Sequence, residues 1–378
     1  MALSIIIAVL ILSFLVILHE FGHFIAAKKL GVRVEEFGIG YPPKIFGVKK
    51  GETIYSINLI PFGGFVRLYG EEGEEESGSE EIVDKGRSFN AKSVGARSLI
   101  LLAGVIMNFL LAAVIFYFLL FSNGFTDYQY LIFSNYRFPF GHQRDLPAVS
   151  FVAKNSPAEK SGLHSKDIIL SVNGIRFEEA GDFVGFVKTH KGEKLTLKVK
   201  DLESGEVKNI DVVPRLNPPK NEGPLGVGLL TMAELKYENP LEKLFAGVLH
   251  SLNLSHYSVV SIGELIKTSF KEKSVEPLSS SVVGPVGILV ITKITLKQGI
   301  IALLNLVALI SLALVVVNII PFPALDGGRL VFVLVEGILR RKIPQSIERN
   351  VNFAGFIILV LLLVLVTIKD VSQFRGFF

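Results

Sequence analysis

"LVILHEFGHFIAAKKL", Leu15–Leu30, decides how this chain is read. His19 and His23 lie one helical turn apart, so on a helix they share a face with Cβ atoms about 5–6 Å apart. Two imidazoles so placed can both reach one ion at about 2.0–2.1 Å. Glu20 follows the first histidine; it cannot easily share that coordination, but it can lean over a water activated beside the ion. Zinc held by two histidines with a glutamate as general base is the chemistry of this H-E-x-x-H spacing. Gly22 leaves room for a neighbouring helix or a substrate to come close. The same stretch ends a run that is apolar from Ala2 onward. Hydrolysis needs water and lipid excludes it, and a carboxylate at mid-bilayer costs roughly 2.5–3.5 kcal/mol, so polar groups kept there are usually functional.

The chain around this stretch is apolar throughout. Of 378 residues, 50% are hydrophobic and 20% charged, more apolar than a soluble globular protein. Runs over about Ala2–Phe24, Ser98–Phe121, Ile300–Ile320 and Val351–Ile368 each have the roughly 20 residues needed to cross a hydrocarbon core of about 30 Å. The first run has no basic residue before it, so it reads as a retained span rather than a cleaved signal peptide. Cysteine is absent, so any metal must be held by His, Asp or Glu. The formal net charge of +4 comes from basic residues at membrane flanks, and aromatic–basic interleaving is missing, so nucleic acid is not an expected partner.

Those flanks set the orientation. Lys28, Lys29, Arg33, Lys44, Lys49 and Lys50 follow the first span, and Arg340, Arg341, Lys342 and Arg349 separate the last two. The positive-inside rule puts both loops in the cytoplasm. The N-terminus, the C-terminus and the segment from about Ser122 to Gln298 are then expected outside. Spans one and three both run from outside to inside.

This topology supplies a third ligand. In "VNIIPFPALDGGRLVF", Val317–Phe332, Asp326 follows the third span on the same side as the histidines. Pro321 and Pro323 end the helix, and Gly327-Gly328 permits a tight turn that presents the carboxylate. The plainer alternative for Asp326 is a helix cap, and Glu336 is the second candidate ligand. His250 and His256 belong to the outer side and read as polar-face residues.

Four other stretches carry organisation. Over Glu52–Gly70, Tyr55, Ile57 and Leu59 alternate with Ser56 and Asn58, Pro61–Gly64 turns, and Phe65–Tyr69 returns. This predicts a β-hairpin lining a wet cavity, whose edge at Ile57, Asn58 and Leu59 is expected to pair with an unwound substrate; an ordinary cytoplasmic hairpin is the alternative. "SPAEKSGLHSKDIILSVNGIRF", Ser156–Phe177, and the alternating "EKLTLKVKD", Glu193–Asp201, resemble a PDZ domain spanning about 147–230. That likeness implies peptide tails as ligands, with a groove lip near Gly226, Val227 and Gly228. Pro240–Lys273 predicts an amphipathic helix against the outer membrane face, within an outer segment of about 240–298. "GEEGEEESGSEE", Gly70–Glu81, reads as a solvated acidic loop.

The chain resembles the site-2 protease family of intramembrane zinc metalloproteases, most of all the bacterial regulator-of-sigma-E protease type with one PDZ domain. The likeness rests on H-E-x-x-H at His19–His23 and on N-x-x-P-x-P-x-L-D-G at Asn318, Pro321, Pro323, Leu325, Asp326 and Gly327. "FGIG", Phe37–Gly40, and "GPVG", Gly284–Gly287, also match. It implies one Zn2+ per chain held by His19, His23 and Asp326, with Glu20 as base and Asn318 helping to hold substrate. Where relatives carry A-G-P-x-x-N-F, this chain reads "AGVIMNF", Ala103–Phe109, with Val105 in place of Pro and Asn108 retained as a substrate-side residue. Single-span membrane proteins are the implied substrates, and the bacterial inner membrane the implied place.

The fold class expected is a polytopic α-helical membrane protein with four transmembrane helices, a membrane-associated β-hairpin and an inserted extracytoplasmic PDZ (α+β) domain. The protease core is expected at 1–121 and 299–378. Two rival functions make different demands. An ion or metal transporter should show internal repeats and polar residues spread over several spans, and neither is present. A catalytically silent PDZ-bearing scaffold should lack a ligand or the base, and all four residues are there.

Overall fold

The computed structural model describes residues 2–71, 85–177, 179–202, 204–220 and 222–377. Most of the acidic run, residues 72–81, lies outside the described residues. The chain divides into two compact units, residues 1–119 with 250–378, and residues 120–249.

The first unit opens with α1 (Ala2–Lys29), β1 (Val34–Lys50), β2 (Thr53–Leu68) and α2 (Val94–Ser122). The second follows with β3 (Thr126–Leu131), β4 (His142–Val152), α3 (Pro157–Lys160), β5 (Asp167–Val172), α4 (Ala180–Thr189), β6 (Leu195–Asp201), β7 (Val207–Val212), β8 (Val227–Lys236) and α5 (Pro240–Leu244). The chain then returns through α6 (Ala246–Glu272), α7 (Glu276–Ser281), α8 (Pro285–Gln298), α9 (Ile300–Ile319), α10 (Asp326–Leu339) and α11 (Gln345–Gln373).

Among the described residues, α1, α2, α9 and α11 are the four helices long and apolar enough to cross a membrane. They match the four apolar runs; α1, α2 and α11 extend past them into the polar flanks, α1 running on to Lys29 and α11 beginning at Gln345, while α9 stops at Ile319. α11 leaves Phe353, Leu361 and Leu365 more than half exposed, an arrangement suited to lipid rather than water.

α6 departs from a helix whose polar side faces water. Its polar residues His250, Ser251 and Asn253 are fully buried, while Leu252 and Val259 are exposed. His250, expected on a wet polar face, instead packs edge-on to Phe116 of α2 with ring centroids 4.9 Å apart.

The β1–β2 sheet corrects the expected hairpin. The chain does turn after Pro61, with Gly63 at φ +67°, but the two arms of that turn are not partners. The first half of β1 lies between them: Phe37 faces both Tyr55 and Val66, and Ile39 faces both Ile57 and Gly64. The second half of β1 closes the other side, pairing Phe46 with Ile57 and Val48 with Tyr55. Ile57 therefore sits inside the sheet, not on an edge, and Asn58 is buried with its Nδ2 donating to the Gly40 carbonyl at 3.1 Å. Leu59 remains 58% exposed. The outer segments are Gly64–Leu68 and Lys44–Lys50. The strand Val34–Lys50 was not expected from the sequence; it contains Pro42-Pro43, which the ladder skips before resuming at Lys44.

The second unit holds a six-stranded sheet in the order β3-β8-β4-β5-β6-β7. Val149, Leu163, Ile169, Phe183, Leu195 and Leu197 fill its core. Ser156 caps α3, accepting from the Glu159 N–H. Asn173 and Gly174 both have positive φ, +48° and +83°, as a tight two-residue turn requires. The sheet begins at Thr126, β4 at His142 and β8 ends at Lys236, so β4 and β8 reach beyond the span 147–230 at both ends. Gly226 precedes β8, and Val227 pairs with Val152.

Candidate metal centre and active site

α1 carries His19 and His23 on one face, and α10 begins at Asp326. The three meet although 307 positions separate His19 from Asp326. His19 Nε2 lies 2.8 Å and His23 Nε2 3.4 Å from Asp326 Oδ2, and the two Nε2 atoms are 3.2 Å apart. One ligand atom from each residue falls within 4.8 Å of the others, the one such group among the described residues. Both histidines are buried.

The tautomer of His23 follows from its other nitrogen. Nδ1 lies 2.8 Å from the Ile100 carbonyl of α2, which can only accept, so Nδ1 carries the proton and Nε2 offers a lone pair inward. Two inward nitrogens and a carboxylate oxygen are a donor set that fits Zn2+ with a fourth position left open.

The approach of Asp326 depends on its glycines. After α9 the chain is extended at Ile320, then passes Pro321 and Pro323 to reach α10. A Cβ at Gly327 would lie 2.3 Å from the Ile320 carbonyl oxygen, and one at Gly328 2.2 Å from that of Phe322. Any side chain there would push the loop away.

Close packing between α1 and α2 is just as strict. A Cβ at Gly22 would meet the Ala103 carbonyl oxygen at 2.3 Å, so the space beside Gly22 belongs to a neighbouring helix. A Cβ at Gly104 would lie 2.5 Å from His23 Nε2 and 2.8 Å from His19 Nε2. Gly104 is a site residue that sequence reasoning missed. The departure at Val105 drew attention to this motif, but the glycine before it touches the ligand atoms. We expect Gly104→Ala to lower zinc affinity and peptide-bond cleavage together, each by about tenfold or more. Metal analysis of the purified variant beside a cleavage assay checks this, and normal zinc retention would count against it.

Glu20 is half-buried and stands outside the ligand cluster. Its Oε2 accepts from the Val66 N–H at 3.1 Å, which brings the outer segment of β2 beside it. Glu336 is not a ligand: it pairs with Arg97 at 2.6 Å and accepts from the Ile343 N–H. Asn108 is fully buried one turn beyond Gly104; its carbonyl accepts from Ser311 Oγ at 2.9 Å, and among the described residues its side-chain amide has no hydrogen-bond partner. Asn318 is half-buried near the end of α9. Beside the Asp326 loop a cavity of about 410 Å³ is lined by Glu71, Ala324, Arg329, Gln345, Glu348, Arg349 and Asn352. Arg329 pairs there with Glu71 at 2.6 Å, a described member of a run that carried no expected chemistry.

The profile of Peptidase family M50 matches residues 7–362. The chain belongs to this family. Membership in the M50, or site-2 protease, family makes it a zinc-dependent intramembrane protease. A Clostridium perfringens protein bearing a provisional zinc-metalloprotease name is 36% identical, over 97% of this chain and 98% of its own. The zinc metalloprotease RasP of Geobacillus kaustophilus is 28% identical over 98% of each chain. The regulator of sigma-W protease RasP of Bacillus subtilis is 28% identical over 97% of each. Among solved structures, the PDZ domain of an SdrC-like protein from Listeria monocytogenes aligns with 22% of this chain and 85% of its own, at 21% identity and a TM-score of 0.20.

Proposed function

We propose that this M50 protease cuts single-span membrane proteins inside or just below the lipid, with His19, His23 and Asp326 as zinc ligands and Glu20 as general base. The observation that carries the reading is the meeting of two helix-borne imidazoles with a carboxylate from the far end of the chain, next to a second acidic side chain, Glu20, that stands outside the cluster. When bound, zinc supplies Lewis-acid polarisation of water and of the scissile carbonyl. Glu20 takes a proton from the attacking water and returns it to the leaving amine. His23 is kept in the right tautomer by Ile100, and Asn108 and Asn318 are assigned to the substrate side.

A peptide bond within a helix is shielded, so the substrate must be held extended. The outer segment Gly64–Leu68 of β2 suits this role, since its Val66 N–H already points at Glu20; exposed Leu59 lies near the bend between the arms. Bare sheet edges do not persist in lipid, which calls for a wet, protein-walled cleft. The motif sits within a membrane span because its substrate does.

The basic flanks place the active site toward the cytoplasm, and the N-terminus, C-terminus and second unit outside, in a bacterial inner membrane. The second unit acts as a PDZ domain that binds peptide tails and selects substrates. From Val227 to Leu230, β8 is paired with β4 while β3 joins only from Thr231. Among the described residues this leaves one side of β8 open beside Gly226, Val227 and Gly228 for a peptide strand.

Cleavage of single-span reporters in proteoliposomes, with the cut mapped by mass spectrometry, tests both parts. The full chain should cut within the apolar segment. Phe125 and Tyr237 are joined by a backbone hydrogen bond of 3.0 Å, so residues 126–236 can be replaced by a short Gly-Ser linker. That variant should keep its zinc and its cut position while changing which reporters are cut. Cuts confined to soluble flanks would refute the intramembrane reading, and an unchanged substrate range would refute the PDZ role.

A further inference from the structure

The loop that delivers Asp326 passes through a backbone shape that it does not adopt by local preference. Ala324 has φ +70°, the left-handed region that a residue with a Cβ rarely enters unaided. Pro323 before it has no N–H to give, and Leu325 after it is extended. The Ala324 N–H donates to Asn352 Oδ1 at 3.1 Å. Asn352 stands on α11, 28 positions further along the chain. One turn on, Gly355 brings the same helix against the same loop: a Cβ there would meet Pro323 Cβ at 2.4 Å and the Pro323 carbonyl oxygen at 2.6 Å. α11 therefore grips Pro323 and Ala324 immediately upstream of Asp326, and neither Asn352 nor Gly355 belongs to the ligand cluster.

We propose that Asn352 is a positioning residue for the metal-binding carboxylate. Its side-chain oxygen holds Ala324 in the left-handed turn and so aims Asp326 at His19 and His23, with Gly355 permitting the close approach. The inference rests on the reading of Asp326 as a zinc ligand. It makes α11, which supplies no ligand, part of what sets zinc affinity. Partners that orient a ligand affect metal binding by about 10–100-fold when lost. A simple helix–loop tether would affect folding stability and leave the affinity of the folded protein alone.

The test uses the full chain purified in detergent. Zinc affinity is measured by competition with a chromophoric chelator, and thermal unfolding confirms the fold. Asn352 borders the cavity beside the loop, so Asn352→Ala removes atoms without forcing a clash. It should weaken zinc binding at least about tenfold. Asn352→Asp keeps the acceptor and should bind zinc like the parent. Adding Ala324→Gly to Asn352→Ala should restore most of the loss, because glycine takes a positive φ without help. Parent-like affinity in Asn352→Ala, an equal loss in Asn352→Asp, or no recovery with Ala324→Gly each overturns the proposal. If Asn352→Ala does not fold, Asn352→Asp and the double variant still decide it: both should fold and bind zinc, and weak binding by either overturns it. Asp326→Ala separates the two readings. If it too keeps parent-like affinity, the ligand assignment fails; if it loses zinc while Asn352→Ala does not, only this inference fails.

Discussion

Glu20→Gln is expected to abolish cleavage of a transmembrane reporter while leaving zinc in place. The substitution is close to isosteric, and the amide oxygen of glutamine can still accept from the Val66 N–H that Glu20 Oε2 now takes at 3.1 Å. The position beside the sheet is therefore kept. His19, His23 and Asp326 form their cluster without Glu20, so metal affinity has no direct reason to fall. What is lost is the capacity to accept a proton and pass it on. A positioned acid–base group contributes about 10²–10⁴-fold, so the rate should fall by at least two orders of magnitude. Cleavage measured alongside zinc content per chain checks both halves. Full activity would remove Glu20 from the mechanism; equal loss of zinc would make it a ligand instead.

Much of this arrangement was legible in the sequence, and what was not has physical reasons. The four spans were readable because long apolar runs have few other uses, and the imidazole pair because helical periodicity places i and i+4 together without any tertiary information. Asp326 was reachable by one further step, since two spans running the same way bring their ends to the same side. Gly104 was not reachable: its role depends on which residue of α2 lies over the imidazoles, and that is fixed by interhelical packing. Asn352 and Gly355 are hidden for the same reason. In the β1–β2 region alternation and turn chemistry located the bend after Pro61, but pairing between distant segments has no local signature, so the insertion of Val34–Ile39 between the two arms could not be read. The burial of His250 and Asn253 on α6 could not be read either, because it depends on which protein surface receives the polar side of the helix.

Asp326→Ala should remove both zinc and proteolysis, and it is the sharper test of the metal centre because, among the described residues, Asp326 is the one member of the ligand cluster that comes from the second half of the core. His19 and His23 come from one helix and would still face each other at this spacing, yet two nitrogens are one ligand short of a catalytic zinc site with three protein donors. The carboxylate supplies the negative charge and the third donor, its Oδ2 lying 2.8 Å from one Nε2 and 3.4 Å from the other. Without it, zinc should be stripped by a chelator concentration that leaves the parent protein loaded, and added zinc should not restore the parental rate. Glu336→Gln is the control, because Glu336 is engaged with Arg97 at 2.6 Å rather than with the histidines. That variant should keep its zinc while unfolding more readily, since it leaves a buried guanidinium without its counter-charge. If Glu336→Gln lost zinc and Asp326→Ala retained it, the carboxylate donor would have to be reassigned, and with it the reason for the proline-and-glycine loop that ends the third span.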